Sequence, residues 1–124
     1  MRGEKFRSKR VGELIRREIA SLIHRGLKDY RLEGAIVSIL EVRVDSELAV
    51  ADAYTSVLPE SRREDVLEAL EHASGFIRSR LSRELHIRQM PELRFKLDTS
   101  IEYGMRLQRI IEDLNPAAGD PEDA

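Results

Sequence analysis

The sequence predicts a small α+β domain with the order helix, strand, strand, kinked helix pair, strand, helix. Three observations carry this. The apolar period changes from three-to-four residues to two and back again along the chain. A helical stripe running from Val66 to Leu85 stays in register through the helix-weakening triplet Ala73-Ser74-Gly75. The length of 124 residues suits one domain with one core.

The first helix is expected over Ser8 to Leu27, where Val11, Leu14, Ile15, Ile19, Leu22 and Ile23 form one apolar face and Gly26 offers a stop. A strand follows over Ile36 to Val44, with Ile36, Leu40, Val42 and Val44 on its inner side and Glu41 and Arg43 on its outer side. The polar turn Asp45-Ser46-Glu47 lacks the glycine of a tight hairpin. Leu48 to Val57 reads as the second strand, and its alanines Ala49, Ala51 and Ala53 imply close packing. Pro59 ends it. Ser61-Arg-Arg-Glu64 has the spacing of a capping box at the start of the helix pair. Leu93, Phe95 and Leu97 alternate with Arg94, Lys96 and Asp98 as a third strand. Thr99-Ser-Ile-Glu102 repeats the capping-box spacing before a last helix carrying Ile101, Met105, Ile110, Ile111 and Leu114, with Gly104 weakening its start. Residues 1–114 are therefore expected to form the domain, and residues 115–124, rich in Pro, Gly, Ala and acid, a disordered tail.

Several chemistries are excluded by residue type. Without cysteine there is no disulfide, thiolate metal site or cysteine nucleophile, which suits a reducing compartment. His24, His72 and His86 are too scattered for a metal-ligand pattern, and His86 between Leu85 and Ile87 suits a packed or half-exposed ring. No nucleophile-elbow or phosphate-loop motif is present, and the acid pairs Glu64-Asp65 and Glu112-Asp113 fall on predicted helix surfaces. No catalytic residue, metal or cofactor is therefore expected. The basic segment Met1 to Arg10 has no apolar stretch behind it, so neither a signal peptide nor a membrane span is expected.

Charged residues make up 35% of the chain, with a net charge of −2 that argues at first against a nucleic-acid partner. The distribution reverses that argument. Residues 1–31 carry ten basic and four acidic groups, while residues 97–124 carry two and seven. A binding face answers to local field, not to the total. Seventeen of the 21 basic groups are Arg, whose planar fork suits phosphate, although a coding preference for Arg explains the count equally well.

The kink is the most informative segment. A helix beginning at Ser74-Gly75 offers backbone amides to an anion, and Arg78, Ser79, Arg80, Arg83 and Arg88 follow directly. Two readings stand at this point: a phosphate-binding cradle, or a glycine that lets helices pack closely beside a solvated Arg face. Lys96 and Arg94 on the third strand either extend the patch or are solvated. Lys5, Arg7, Lys9 and Arg10, with Arg2, form a basic arm that contacts nucleic acid or is simply a solvated terminus. Aromatic residues are few, and Phe76 is assigned to the core, which weakens any stacking mode of base readout.

Several segments taken together resemble the ribosome-binding factor A family: Arg10-Val-Gly-Glu-Leu-Ile-Arg-Arg-Glu-Ile19, Leu27-Lys-Asp-Tyr-Arg-Leu32, Leu48-Ala-Val-Ala-Asp-Ala-Tyr54, Ala73-Ser-Gly75 with Phe76-Ile-Arg-Ser-Arg-Leu81, and Pro91-Glu-Leu-Arg-Phe-Lys-Leu97 with Asp98-Thr-Ser-Ile-Glu102. The resemblance spans about residues 4–114. It implies a type II KH-like fold in which an Ala-x-Gly kink replaces the Gly-x-x-Gly loop that clamps RNA backbone. It also implies a non-catalytic assembly factor in the cytoplasm that binds free 30S subunits and 16S rRNA and assists late 16S rRNA maturation. Two departures stand out. Tyr30 replaces the proline of the family's Asp-Pro-Arg turn, and the acidic tail is short, so tail functions are not carried over.

The expectation is thus a monomeric RNA-binding domain without membrane contact. Arg78, Arg80 and Arg83 face phosphate, and Ser74 and Gly75 permit close backbone approach. The alternative is a protein–protein adaptor that recruits its partner through a sheet edge or the acidic segment, without touching RNA.

Overall fold

The computed structural model describes residues 2–25, 27 and 30–114, with side chains omitted at 2–6, 101, 102 and 106. The expected stop at Gly26 and the tail 115–124 lie outside the described residues, as does the side chain of Lys5. The elements are α1 (Arg2–His24), a 3-10 helix (Tyr30–Leu32), β1 (Ile36–Val44), β2 (Val50–Leu58), a second 3-10 helix (Glu60–Arg62), α2 (Arg63–His72), α3 (Ser74–Leu85), β3 (Glu92–Leu97) and α4 (Ser100–Leu114). The sheet order is β1-β2-β3, with β2 antiparallel to β1 and parallel to β3. A parallel pair needs a long crossover, and α2 and α3 supply it.

Burial explains the layering. Ile15, Ile19 and Leu22 of α1, Val66 and Leu70 of α2, and Ile77 and Leu81 of α3 meet Val42, Ala51, Ala53, Val57, Leu93 and Phe95 of the sheet in one core. Each fully buried Leu or Ile contributes about 1.5–3 kcal/mol relative to exposure. Ala51 and Ala53 are fully buried, as their small size suggested, whereas Ala49 precedes the strand and is exposed.

Local differences from the sequence reading have local causes. Basic residues upstream of Ser8 already belong to α1, because helical hydrogen bonding does not require an apolar face in the first turns. A bulge between Ile39 and Glu41 reverses the side-chain parity of β1. Val37 and Ile39 therefore face inward before it and Val42 and Val44 after it, while Ile36 is exposed. β2 begins at Val50 instead of Leu48, because Leu48 turns the chain at φ 58°. Asp45 supports that turn: its carboxylate accepts the amides of Ala49 (2.7 Å) and Val50 (3.1 Å).

The capping box expected at Ser61 does not form as drawn, and the one expected at Thr99 involves the side chain of Glu102, which lies outside the described residues. Ser61 sits inside the 3-10 helix, and α2 starts at Arg63 with no side-chain cap on it. Arg62 instead donates to the carbonyl of Arg31 at 2.6 Å, tying the two 3-10 helices together. At α4 the Asp98 carboxylate accepts from the Ser100 hydroxyl and from the Ser100 amide (2.8 Å), and both hold its pKa below the ordinary Asp value. His86 is exposed and ends α3 in the left-handed conformation at φ 52°. α4 continues through Gly104 and leaves Tyr103, Leu107, Ile110, Ile111 and Leu114 uncovered.

Two features of α1 generate predictions. Gly12 is buried where α1 crosses β1, and a Cβ there would collide with the Val42 carbonyl oxygen. Gly12→Ala is expected to cost about 1–3 kcal/mol of unfolding free energy as an overpacking change. An unchanged urea midpoint would show that the crossing yields. Glu13 accepts from Arg16 (2.7 and 2.9 Å) and Arg17 (3.2 Å), which lowers its pKa from 4.5 to about 2. A depressed carboxylate stabilises above its unfolded value and loses that contribution as pH falls through its folded value. The melting-temperature gap between the natural chain and Glu13→Gln is therefore expected to be constant above pH 4.5 and to close toward pH 2. A gap independent of pH across that window contradicts this assignment.

Candidate nucleic-acid interface

The helix pair changes direction at Ala73 without leaving the right-handed region, at φ −84° and ψ −3°. The Ala73 amide bonds to Ala69 O and the Ile77 amide to Ala73 O, both at 2.9 Å, so helical bonding spans the junction. Ser74 donates its hydroxyl to Glu71 O at 2.7 Å. The break is thus narrow, and the amide cradle expected from the sequence is correspondingly small. Gly75 bears on the packing half of the second reading left open at the kink. It is exposed, and a Cβ built on it meets no atom within 4 Å. Helix packing does not require this glycine; what its missing side chain leaves open is space on the outside of the molecule.

Two contacts lock the kink to β3. The Phe95 amide donates to the Glu71 carboxylate at 3.1 Å, which caps part of the outer edge of β3. Arg78 donates to Pro91 O (3.0 Å) and Met90 O (2.7 Å). Its guanidinium therefore braces the loop entering β3 and is not held ready for phosphate, which corrects the role expected for it.

The exposed side of α3 follows from which side is buried. With Ile77 and Leu81 fully buried, Phe76, Ser79 and Arg83 lie outward, at i, i+3 and i+7, and Arg80 at i+4 lies on the flank between that face and the core. Phe76 is 56% exposed, so its assignment to the core is wrong. The stripe of Val66, Leu70, Ile77 and Leu81 already marked the buried side, and Phe76 stands one residue off it. Arg80 is half-buried, its Nε sequestered without a hydrogen-bond partner among the described residues. Arg83 and Arg88 are exposed, and none of the three has an ion-pair partner among the described residues.

The other cations divide sharply. Lys96 and Arg94 alternate with the buried Leu93 and Phe95, so they occupy the outer face of the sheet, opposite the helices. There Lys96 lies 3.8 Å from Asp52, Arg94 3.6 Å from Glu92, and Arg43 3.2 Å from Glu41 and 5.1 Å over the Tyr54 ring. That face is charge-compensated and Lys96 does not extend the α3 patch. Arg7, Lys9 and Arg10 are exposed on the first turns of α1, so they belong to a helix and not to a loose arm. A groove of about 980 Å³ lies elsewhere, between α1 and β1, and its Arg16 and Arg25 are engaged by Glu13 and Glu18. Among the described residues no group of His, Asp and Glu is placed to hold a metal, and no helix is long and apolar enough to cross a membrane.

A helix-strand-strand-helix-helix-strand core, with a parallel β2-β3 pair bridged by kinked helices, defines a type II KH-like domain. Within that class, the family model of ribosome-binding factor A matches residues 7–111, and the chain belongs to that family. A Magnetococcus marinus ribosome-binding factor A is 42% identical over 119 residues, covering 95% of this chain and 96% of the relative. One from Macrococcus caseolyticus is 40% identical over 111 residues, or 89% and 96%. The crystal structure of Thermus thermophilus ribosome-binding factor A superposes with a TM-score of 0.63 at 26% identity, covering 73% of this chain and 94% of that one. Coordinates of the Thermus protein fitted into a cryo-EM map of its 30S complex give 0.58 at 27% identity, covering 69% and 89%.

The different roles of the arginines can be separated by stability. Arg78→Ala is expected to lower the unfolding free energy by about 1–2 kcal/mol, through loss of two charge-assisted hydrogen bonds. Arg83→Ala is expected to change it by less than about 0.5 kcal/mol. Equal urea midpoints for the two variants would refute the bracing role.

Proposed function

We propose that this protein is a non-catalytic assembly factor that binds free 30S subunits through 16S rRNA in the cytoplasm and assists late rRNA maturation. Membership of the ribosome-binding factor A family supports the reading, as does the Thermus relative described in complex with 30S. The observation that carries it at residue level is the outward face of α3. Arg83 stands there and Arg80 on its flank, both without a carboxylate partner among the described residues, beside a glycine whose outer side is open. Free guanidiniums suit phosphate bidentately, and an open backbone lets a second backbone approach. Ser74, Gly75, Ser79, Arg80, Arg83 and Arg88 form the core of this interface. Arg7, Lys9 and Arg10 add positive field from α1, and Arg78 positions the kink. Residues 1–114 act as one RNA-binding domain, and the chain works as a monomer. The near-neutral total charge goes with weak affinity for bare RNA and reliance on the shape of a ribosomal site.

The test is sedimentation of purified free small subunits with the Arg80→Glu/Arg83→Glu variant at moderate salt. Binding is expected to fall at least about tenfold, with the salt slope reduced by about 2 and the circular dichroism spectrum unchanged. Undiminished binding would remove these two residues from the interface. Binding to a ribosomal protein with no affinity for rRNA would favour the adaptor reading instead.

A further inference from the structure

Phe76 is not part of the buried core. It is 56% exposed although it sits in the first turn of a helix whose other large apolar residues are inside. Its surroundings leave the ring accessible. The preceding residue is Gly75, with open space on its outer side, and the neighbours one turn away on the helix are Ala73 and Arg80 on one side and His72 and Ser79 on the other. The cations at i+4 and i+7, Arg80 and Arg83, have no ion-pair partner among the described residues. An accessible aromatic ring with a half-buried guanidinium one turn along and an exposed one two turns along, neither ion-paired among the described residues, matches the two faces of a nucleotide. The ring can take a base and the guanidiniums the phosphates on its strand.

We propose that Phe76 is a stacking platform for an unpaired base of an RNA strand whose phosphates lie against Arg80 and Arg83. The inference rests on the RNA-binding reading above and narrows it: the strand recognised on α3 is single-stranded at that point, because bases inside a duplex have no free face to offer. The absence of a side chain at Gly75 serves the same end, since a side chain there would stand beside the base. A stacked base adds little sequence selectivity, so this contact reports that the strand is open more than which base it carries.

The chain has no tryptophan, so Phe76→Trp gives a single fluorophore at the site. The full chain is titrated at low ionic strength with three probes: a single-stranded RNA oligomer, its hybridised duplex, and an abasic oligomer of equal charge. Phe76→Trp is expected to bind the single strand within threefold of the natural chain, with fluorescence quenched at saturation. The abasic oligomer is expected to leave it unquenched. Phe76→Leu, which keeps an apolar side chain, is expected to bind the single strand about tenfold more weakly, equivalent to about 1.4 kcal/mol. It is expected to bind the abasic oligomer and the duplex as the natural chain does.

Equal single-strand affinity of the natural chain and Phe76→Leu, or an unquenched Phe76→Trp at saturation, overturns the inference while leaving the RNA-binding reading intact. So does a Phe76→Leu variant that loses free small subunits but not the oligomer, because the ring would then dock on a protein. A natural chain that binds neither RNA nor free small subunits overturns the proposed function, and this inference falls with it.

Discussion

The arrangement of the molecule depends on one requirement: α2 and α3 must both deliver their apolar residues to the same sheet. Val66 and Leu70 from α2, and Ile77 and Leu81 from α3, are all fully buried. Keeping them in register across Ala73 allows only a narrow change of direction, which the 2.9 Å bonds to Ala69 and from Ile77 accommodate. Everything on the outside of α3 follows. Once Ile77 and Leu81 are fixed inward, helical geometry turns Phe76 and Arg83 outward and sets Arg80 on the flank beside them. The proposed interface is the reverse side of a packing constraint.

The framework that holds this ridge is polar. Glu71 takes the Phe95 amide on one side of the junction, and Arg78 holds the Met90 and Pro91 carbonyls on the other. Both contacts join the kinked pair to β3 and its approach, so the crossover cannot slide along the sheet without breaking them. Charge is thus sorted by task. Cations on the outer sheet face are matched with Asp52, Glu92 and Glu41, and Arg78 is spent on structure, while Arg80, Arg83 and Arg88 stay uncommitted among the described residues. Counting arginines does not distinguish these groups, because side-chain identity is the same in all three.

Much of this was legible in the chain. The order of elements and the bounds of β1 came from apolar periodicity, which reports burial directly, and the break at Ala73 from the helix-weakening Ala73-Ser74-Gly75 triplet. The outward setting of Arg83 came from the apolar stripe. Other features were hidden because they depend on a neighbour distant in sequence or on a single dihedral angle. The bulge before Glu41 reverses which residues of β1 face inward, and no local composition signals it. Leu48 adopts a positive φ that its residue type disfavours, because Asp45 closes the turn over it.

Sequence alone determined the fold class, the family, the exclusion of cysteine chemistry and the placing of positive charge near the kink. These depend on residue type and spacing, which the chain carries explicitly. Tertiary structure alone decided which cations are free and which are engaged. It showed that Gly12, and not Gly75, is the glycine that packing requires, and that Phe76 lies in solvent. Each of those outcomes depends on what another element places within a few ångströms, and that proximity exists only once the helices have closed over the sheet.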